Sequence, residues 1–172
     1  MKSLAILGAS GHGKVVADAA REMGCWDCIE FFDDAYPEKK VVGQYCIKGD
    51  SSDLIQLGAT HEVAIAIGNN KIRYERQIEF EDQGVAIATI VHPAASIGEG
   101  VKIYPGSVVF AGAVMNSGAE IGKACIVNSN AVIEHDCYLS DAVHVSPGAN
   151  LAGGVHVGQH AWIGIGVSVI QL

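Results

Sequence analysis

From Ile97 to Val169 an aliphatic residue or a methionine recurs at every sixth position, thirteen times without a break. With about half of all residues apolar, such a run has odds of roughly 10⁻⁴ per register. A second row stands four residues after each member, from Val101 through Ser107, Cys125 and Cys137 to Val167, and holds only small or β-branched side chains. A period of six suits neither one face of a helix nor an alternating strand. It suits a parallel β-helix with one large and one small inward residue per side. Three hexapeptides then make a triangular coil of about 18 residues that rises by about one strand spacing, 4.8 Å. The corners need tight or left-handed backbone, and Gly98, Asn116, Gly122, Asn128, Gly158 and Gly164 are the expected suppliers. Only seven charged residues follow Val91, as befits a stacked, self-paired surface.

The first 90 residues read differently. Lys2 to Leu7 is a buried strand, followed by Gly8-Ala9-Ser10-Gly11-His12-Gly13 and an amphipathic helix from about Lys14 to Met23. Strand, glycine loop and helix make the setting in which backbone N–H groups and a helix N-terminus hold a phosphate. The spacing is G-x-x-G-x-G, so the dinucleotide fingerprint is not met in detail. A second strand, Cys28 to Phe32, ends at Asp33-Asp34, where a carboxylate can accept from a sugar hydroxyl. Residues 36–57 read as irregular. His61 to Ile67 is a third strand that ends in Gly68-Asn69-Asn70, and a charged helix (about Lys71 to Gln83) and a strand (about Val85 to Thr89) follow. This segment is too short for two mononucleotide halves and favours one nucleotide or nucleotide-sugar over NAD. His92-Pro93 marks the passage between the domains, residues 1–90 and 91–172.

Nineteen acids against eleven bases give a net charge of −8, which argues against nucleic acid and anionic membranes as partners. The chain shows no signal peptide and no apolar run of membrane-spanning length, and its five cysteines suggest reduced thiols in a cytoplasm. Cys25-Trp26-Asp27-Cys28 has redox spacing but follows a helix instead of opening one, and no second pair exists for zinc. These are packing residues, as are the inward Cys125 and Cys137.

The chemistry concentrates at Glu134-His135-Asp136, just beyond the inward Ile133. A histidine flanked by acids can have its tautomer fixed and its imidazolium stabilised, which makes a usable general base. One coil above it stand Gly153 and Gly154, expected to leave room for a narrow acyl chain. His144 lies half a coil away, so two chains packed side by side, and not one, would bring both histidines to one substrate. His156 and His160 are read as surface residues.

These motifs, with Phe32-Asp33-Asp34, Ile65-Ala66-Ile67-Gly68-Asn69-Asn70 and His144-Val145-Ser146-Pro147-Gly148, occur in order along nearly the whole chain. Together they resemble bacterial nucleotide-sugar acetyltransferases of the bacillosamine and perosamine type, and the related sialic acid O-acetyltransferases. The resemblance implies an α/β Rossmann-like domain followed by an all-β left-handed parallel β-helix. It implies a cytoplasmic homotrimer that acetylates the amino group of a nucleotide-linked sugar, a UDP-sugar in the first instance. Acetyl-CoA would lie between adjacent β-helices, and no metal would be needed. By carry-over His135 is the base and Asp136 supports it; Ser10, Gly11, His12, Asp33, Asp34 and Gly68 contact the nucleotide-sugar; His144, Gly153 and Ile165 line the acetyl-CoA site. Members of the group continue for about two coils past the position of Leu172, so weakened coenzyme binding with intact nucleotide-sugar binding is expected. Other readings are O-acetylation of sialic acid, a non-catalytic nucleotide-sugar module and, with less to support it, a dinucleotide-dependent oxidoreductase.

Overall fold

A computed structural model describes residues 2–57 and 60–171; Leu172 lies outside them. Strand β1 (Ser3–Leu7) leads through Gly8 into helix α1 (Gly11–Met23), and β2 (Cys28–Phe32) follows. A short hairpin, β3 (Val41–Val42) with β4 (Tyr45–Cys46), and helix α2 (Ser51–Leu57) occupy the stretch expected to be irregular. Then come β5 (His61–Ile65), α3 (Asn70–Asp82) and β6 (Ala86–Ile87). The sheet is parallel throughout, in the order β2-β1-β5-β6. Because the chain leaves β1 toward β2 and later returns to its other side, the carboxyl ends of β1 and β5 flank a switch point, where open α/β sheets bind ligands.

Helix α1 begins three residues before the expected start, so Gly11, His12 and Gly13 belong to its first turn and the loop shrinks to Gly8-Ala9-Ser10. Two glycines permit this. Gly8 has φ +112°, and a Cβ on it would stand 2.6 Å from the carbonyl oxygen of Ala66. Gly13 packs onto the backbone of Gly8, with Phe31 only 3.1 Å from where its Cβ would be. Together they let the helix N-terminus sit directly on the strand ends.

From Ile90 onward, fourteen two-residue strands build the parallel β-helix. Each pairs with the strand 18 residues away, as Val108 with Ile126 and Ile126 with His144. Three faces result. The first runs Ile90, Val108, Ile126, His144, Trp162; the second starts at Ser96; the third at Lys102. Both inward rows are buried through the middle coils, Val109, Met115, Ile121, Val127, Ile133, Leu139 and Val145 alongside Ala113, Ala119, Cys125, Ala131, Cys137 and Val143, while Ile97 and Val167 in the end coils are exposed.

The corners are not where the sequence reading puts them. Left-handed backbone falls three residues after each inward aliphatic, at every sixth residue from Gly100 to Gly166, not at Gly98, Asn116 or their equivalents. Five of these twelve positions carry a side chain: Ala124, Asn130, Asp136, Ala142 and His160. The residue directly after the inward position still completes the strand ladder, as Gly98 N–H does to Met115. The sharp bend comes two residues later.

The first face packs on the α/β part. Val108, Phe110 and Ile126 share one apolar cluster with Val16, Ala17 and Ala20 of α1 and Phe31 of β2. The two parts thus meet along α1, and also along α3, whose Arg73 and Gln77 donate to the carbonyls of Ala124 and Pro105.

Candidate active site

The expected nucleotide-sugar residues gather at the carboxyl edge of the sheet. Asp33 Oδ2 accepts from Ala9 N–H at 2.7 Å and Oδ1 from Ala35 N–H at 3.0 Å. Lys39 ties the same loop together through Asp33 Oδ2, at 3.3 Å, and the Ala9 carbonyl. Burial works to raise the Asp33 pKa, but the two N–H groups and Lys39 outweigh it and hold the carboxyl below its usual range. Asp34 bridges elsewhere, accepting from Ser51 N–H at the start of α2 (3.0 Å) and from Arg76 of α3 (2.8 Å). Both carboxylates therefore brace the loops. Ser10, Gly11 and Gly68 present exposed backbone to the same edge, and Asn69 caps α3 by accepting from Ile72 N–H at 3.1 Å.

His12 projects from the first turn of α1 into the junction with the β-helix, edge-on to Phe110 with ring centroids 5.8 Å apart. Burial first, then the positive charge of Arg73 and the proximity of His144, lower its pKa to about 4. His144 is buried on the first face, stacked on Trp162 at 4.9 Å, with Nε2 3.2 Å from Asn128 Nδ2. Burial and Arg73 also bring its pKa down to about 4. Both imidazoles are neutral at pH 7, and His12 Nε2 and His144 Nδ1 have no hydrogen-bond partner among the described residues. One histidine expected at the nucleotide-sugar and one expected at the coenzyme thus share a junction.

His135 stands apart, on the corner after the second face. Its Nδ1 lies 2.9 Å from Asp136 Oδ2, and both side chains are exposed. Asp136 occupies a left-handed corner at φ +58°. The glycine one coil below makes room for it: a Cβ on Gly118 would come within 2.7 Å of Asp136 Oδ1. The expectation that Gly153 leaves space for an acyl chain is corrected here. The imidazole itself fills that space, Cε1 lying 2.6 Å from where a Gly153 Cβ would be. Glu134 turns away and accepts from Asn116 Nδ2 at 2.9 Å. Ile165 is exposed. His160, read as a surface residue, lies half-buried at the junction, 5.6 Å from the Tyr74 ring; His156 is exposed.

Burial pushes the Cys125 thiol up to about 12 and also raises Cys137, and Cys25 and Cys28 are unpaired thiols. Among the described residues no group of three His, Cys, Asp or Glu is placed to hold a metal ion, and no helix is long and apolar enough to cross a membrane. Arg73 and Trp162 of the junction went unmarked in the sequence, and Asn128 was marked only as a corner residue.

Comparison with known proteins fits this geometry. Residues 3–79 match a family model described as the PglD N-terminal domain. The acetyltransferase domain of PglB from Neisseria gonorrhoeae, solved with acetyl coenzyme A, is 32% identical, covering 98% of this chain and 88% of that one, with a TM-score of 0.82. A mutant of perosamine N-acetyltransferase from Caulobacter crescentus, solved with CoA and GDP-perosamine, is 33% identical, covering 99% and 80%, with a TM-score of 0.90. WeeI from Acinetobacter baumannii, at 24% identity and a TM-score of 0.75, shares the fold.

Proposed function

The chain belongs to the nucleotide-sugar acetyltransferases that these relatives represent, and from that premise we propose that it transfers the acetyl group of acetyl-CoA to the amino group of a nucleotide-linked amino sugar. The observation that carries this reading is the His135–Asp136 pair, held at an exposed corner with its imidazole against Gly153.

Asp136 accepts from Nδ1–H, which leaves Nε2 of His135 as the basic nitrogen. The sugar ammonium loses one proton to bulk water, and the free amine attacks the thioester carbonyl while its nitrogen gives a second proton to Nε2 of His135. The tetrahedral intermediate then collapses, the C–S bond breaks, and the imidazolium returns the proton to the departing thiolate. The products are the N-acetyl sugar and CoA. The raised pKa values of Cys125 and Cys137 favour direct transfer over an acyl-enzyme.

The nucleotide-sugar would lie on residues 1–90, which we take as a Rossmann-like domain, against the Gly8–Ser10 loop and the Gly68–Asn70 turn. Its diphosphate meets the N-terminus of α1, which offsets the acidic net charge. Residues 91–172 would form the left-handed β-helix that holds the coenzyme. His135 and His144 occupy different faces and make no contact with each other. A homotrimer, in which His135 of one subunit meets the His144 junction of the next, supplies the complete site.

Turnover with acetyl-CoA and a panel of UDP- and GDP-linked amino sugars tests the reading, with free and CMP-linked sialic acid as hydroxyl acceptors. Acetylation of an amino sugar is expected. Acetylation of sialic acid alone, or ligand binding with no turnover, would overturn it.

A further inference from the structure

Helix α3 turns a polar side toward the β-helix. Gln77 Nε2 donates to the Pro105 carbonyl (2.9 Å), Arg73 Nε to Ala124 (2.8 Å), Arg73 Nη2 to Ala142 (3.4 Å), and Asn70 Nδ2 to His160 (3.0 Å). Ala124, Ala142 and His160 are left-handed corner residues 18 apart, one above another on a single edge. Arg73 is the centre of this row and is 1% exposed. Its other N–H groups point back into its own domain: Nη1 to the carbonyls of Ile67 (2.9 Å) and Gly68 (3.3 Å), Nη2 to Asn70 Oδ1 (2.8 Å). All five guanidinium N–H groups are thus used, every partner is neutral, and no carboxylate pairs with it among the described residues.

A buried cation without a counter-charge is a poor source of stability, since a packed apolar residue often does as well. A rigid planar fork is, however, a good way to fix two backbones against each other. We infer that Arg73 is a positioning residue: its guanidinium clamps the 67–70 turn to the corner carbonyls of the coils that end in Ala124 and Ala142, and so sets the height of the sugar-binding turn over His144. The geometry stands alone; the effect on catalysis rests on the proposed function.

Arg73→Met and Arg73→Lys test it in the full chain, with native-like circular dichroism as the entry condition; the Lys variant carries the test if the Met variant does not fold. Amide exchange in residues 66–72 is expected to accelerate about tenfold or more with the ladder at 126–145 unchanged, since lost hydrogen bonds free the turn locally. In kinetics, KM for the nucleotide-sugar should rise about tenfold and that for acetyl-CoA stay within about twofold. Lysine, with one compact donor group, should restore only part of either. Exchange that is unchanged in the turn, or faster everywhere alike, overturns the inference, as does an equal rise in both KM values. If the parent chain turns over no nucleotide-linked amino sugar, the proposed function fails, and the exchange pattern decides the role of Arg73 by itself.

Discussion

At the scale of single residues, the His135–Asp136 pair depends on two glycines as much as on its own atoms. His135→Ala is expected to slow transfer by about 10²–10⁴-fold, the usual worth of a general base; retention of half the parent rate in a steady-state assay would remove it from the mechanism. Asp136 has two duties, a carboxylate for Nδ1 and a left-handed corner. Asp136→Gly separates them, because glycine adopts that backbone freely. Its melting temperature should stay near that of the parent while kcat falls about tenfold, consistent with loss of one charge-assisted hydrogen bond. The dyad was legible in the sequence because a histidine between acids is an unusual local pattern. The use of Gly153 was misjudged because a glycine letter states that room exists but not which neighbour takes it.

At the scale of elements, the α1 start and the α3 face show what letters conceal. The α1 N-terminus was placed too late because glycines read as loop, whereas Gly13 serves close packing inside the helix. Gly13→Ala is expected to destabilise the chain by about 1–3 kcal/mol, the cost of overpacking, measured as a lower denaturant midpoint at unchanged slope. α3 read as a plain charged helix because the partners of Asn70, Arg73 and Gln77 are carbonyl groups, which leave no trace in sequence. The junction also makes a pH prediction. His12 and His144 titrate near 4 when folded and at about 6.5 when unfolded, so the unfolded chain binds more protons between those values and stability falls as pH drops through that window. Calorimetry from pH 7 to 5 should show a fall in melting temperature on the order of 5 °C, reduced in His144→Asn.

At the scale of the whole molecule, the repeat was the most legible feature, since each coil restates one pattern of large and small inward residues. The corner row escaped notice because five of its twelve members are not glycine. The proposed sharing of one site between His135 of one subunit and His144 of the next predicts subunit association. Light scattering at micromolar concentration should give three times the chain mass, and a mixture of His135→Ala and His144→Ala subunits should regain activity that neither has alone. An active monomer would end that argument. The grip of α3 on the edge has a consequence for how such a chain can vary in length. Pro105, Ala124, Ala142 and His160 are held at fixed heights by three side chains of one rigid helix. A whole coil inserted between Pro105 and His160 would keep every inward residue in register yet carry one of those carbonyls about 4.8 Å away from its donor. The same coil grafted beyond His160 would disturb none of them. The helix therefore acts as a gauge that divides the array into a stretch of fixed length and a stretch open to extension.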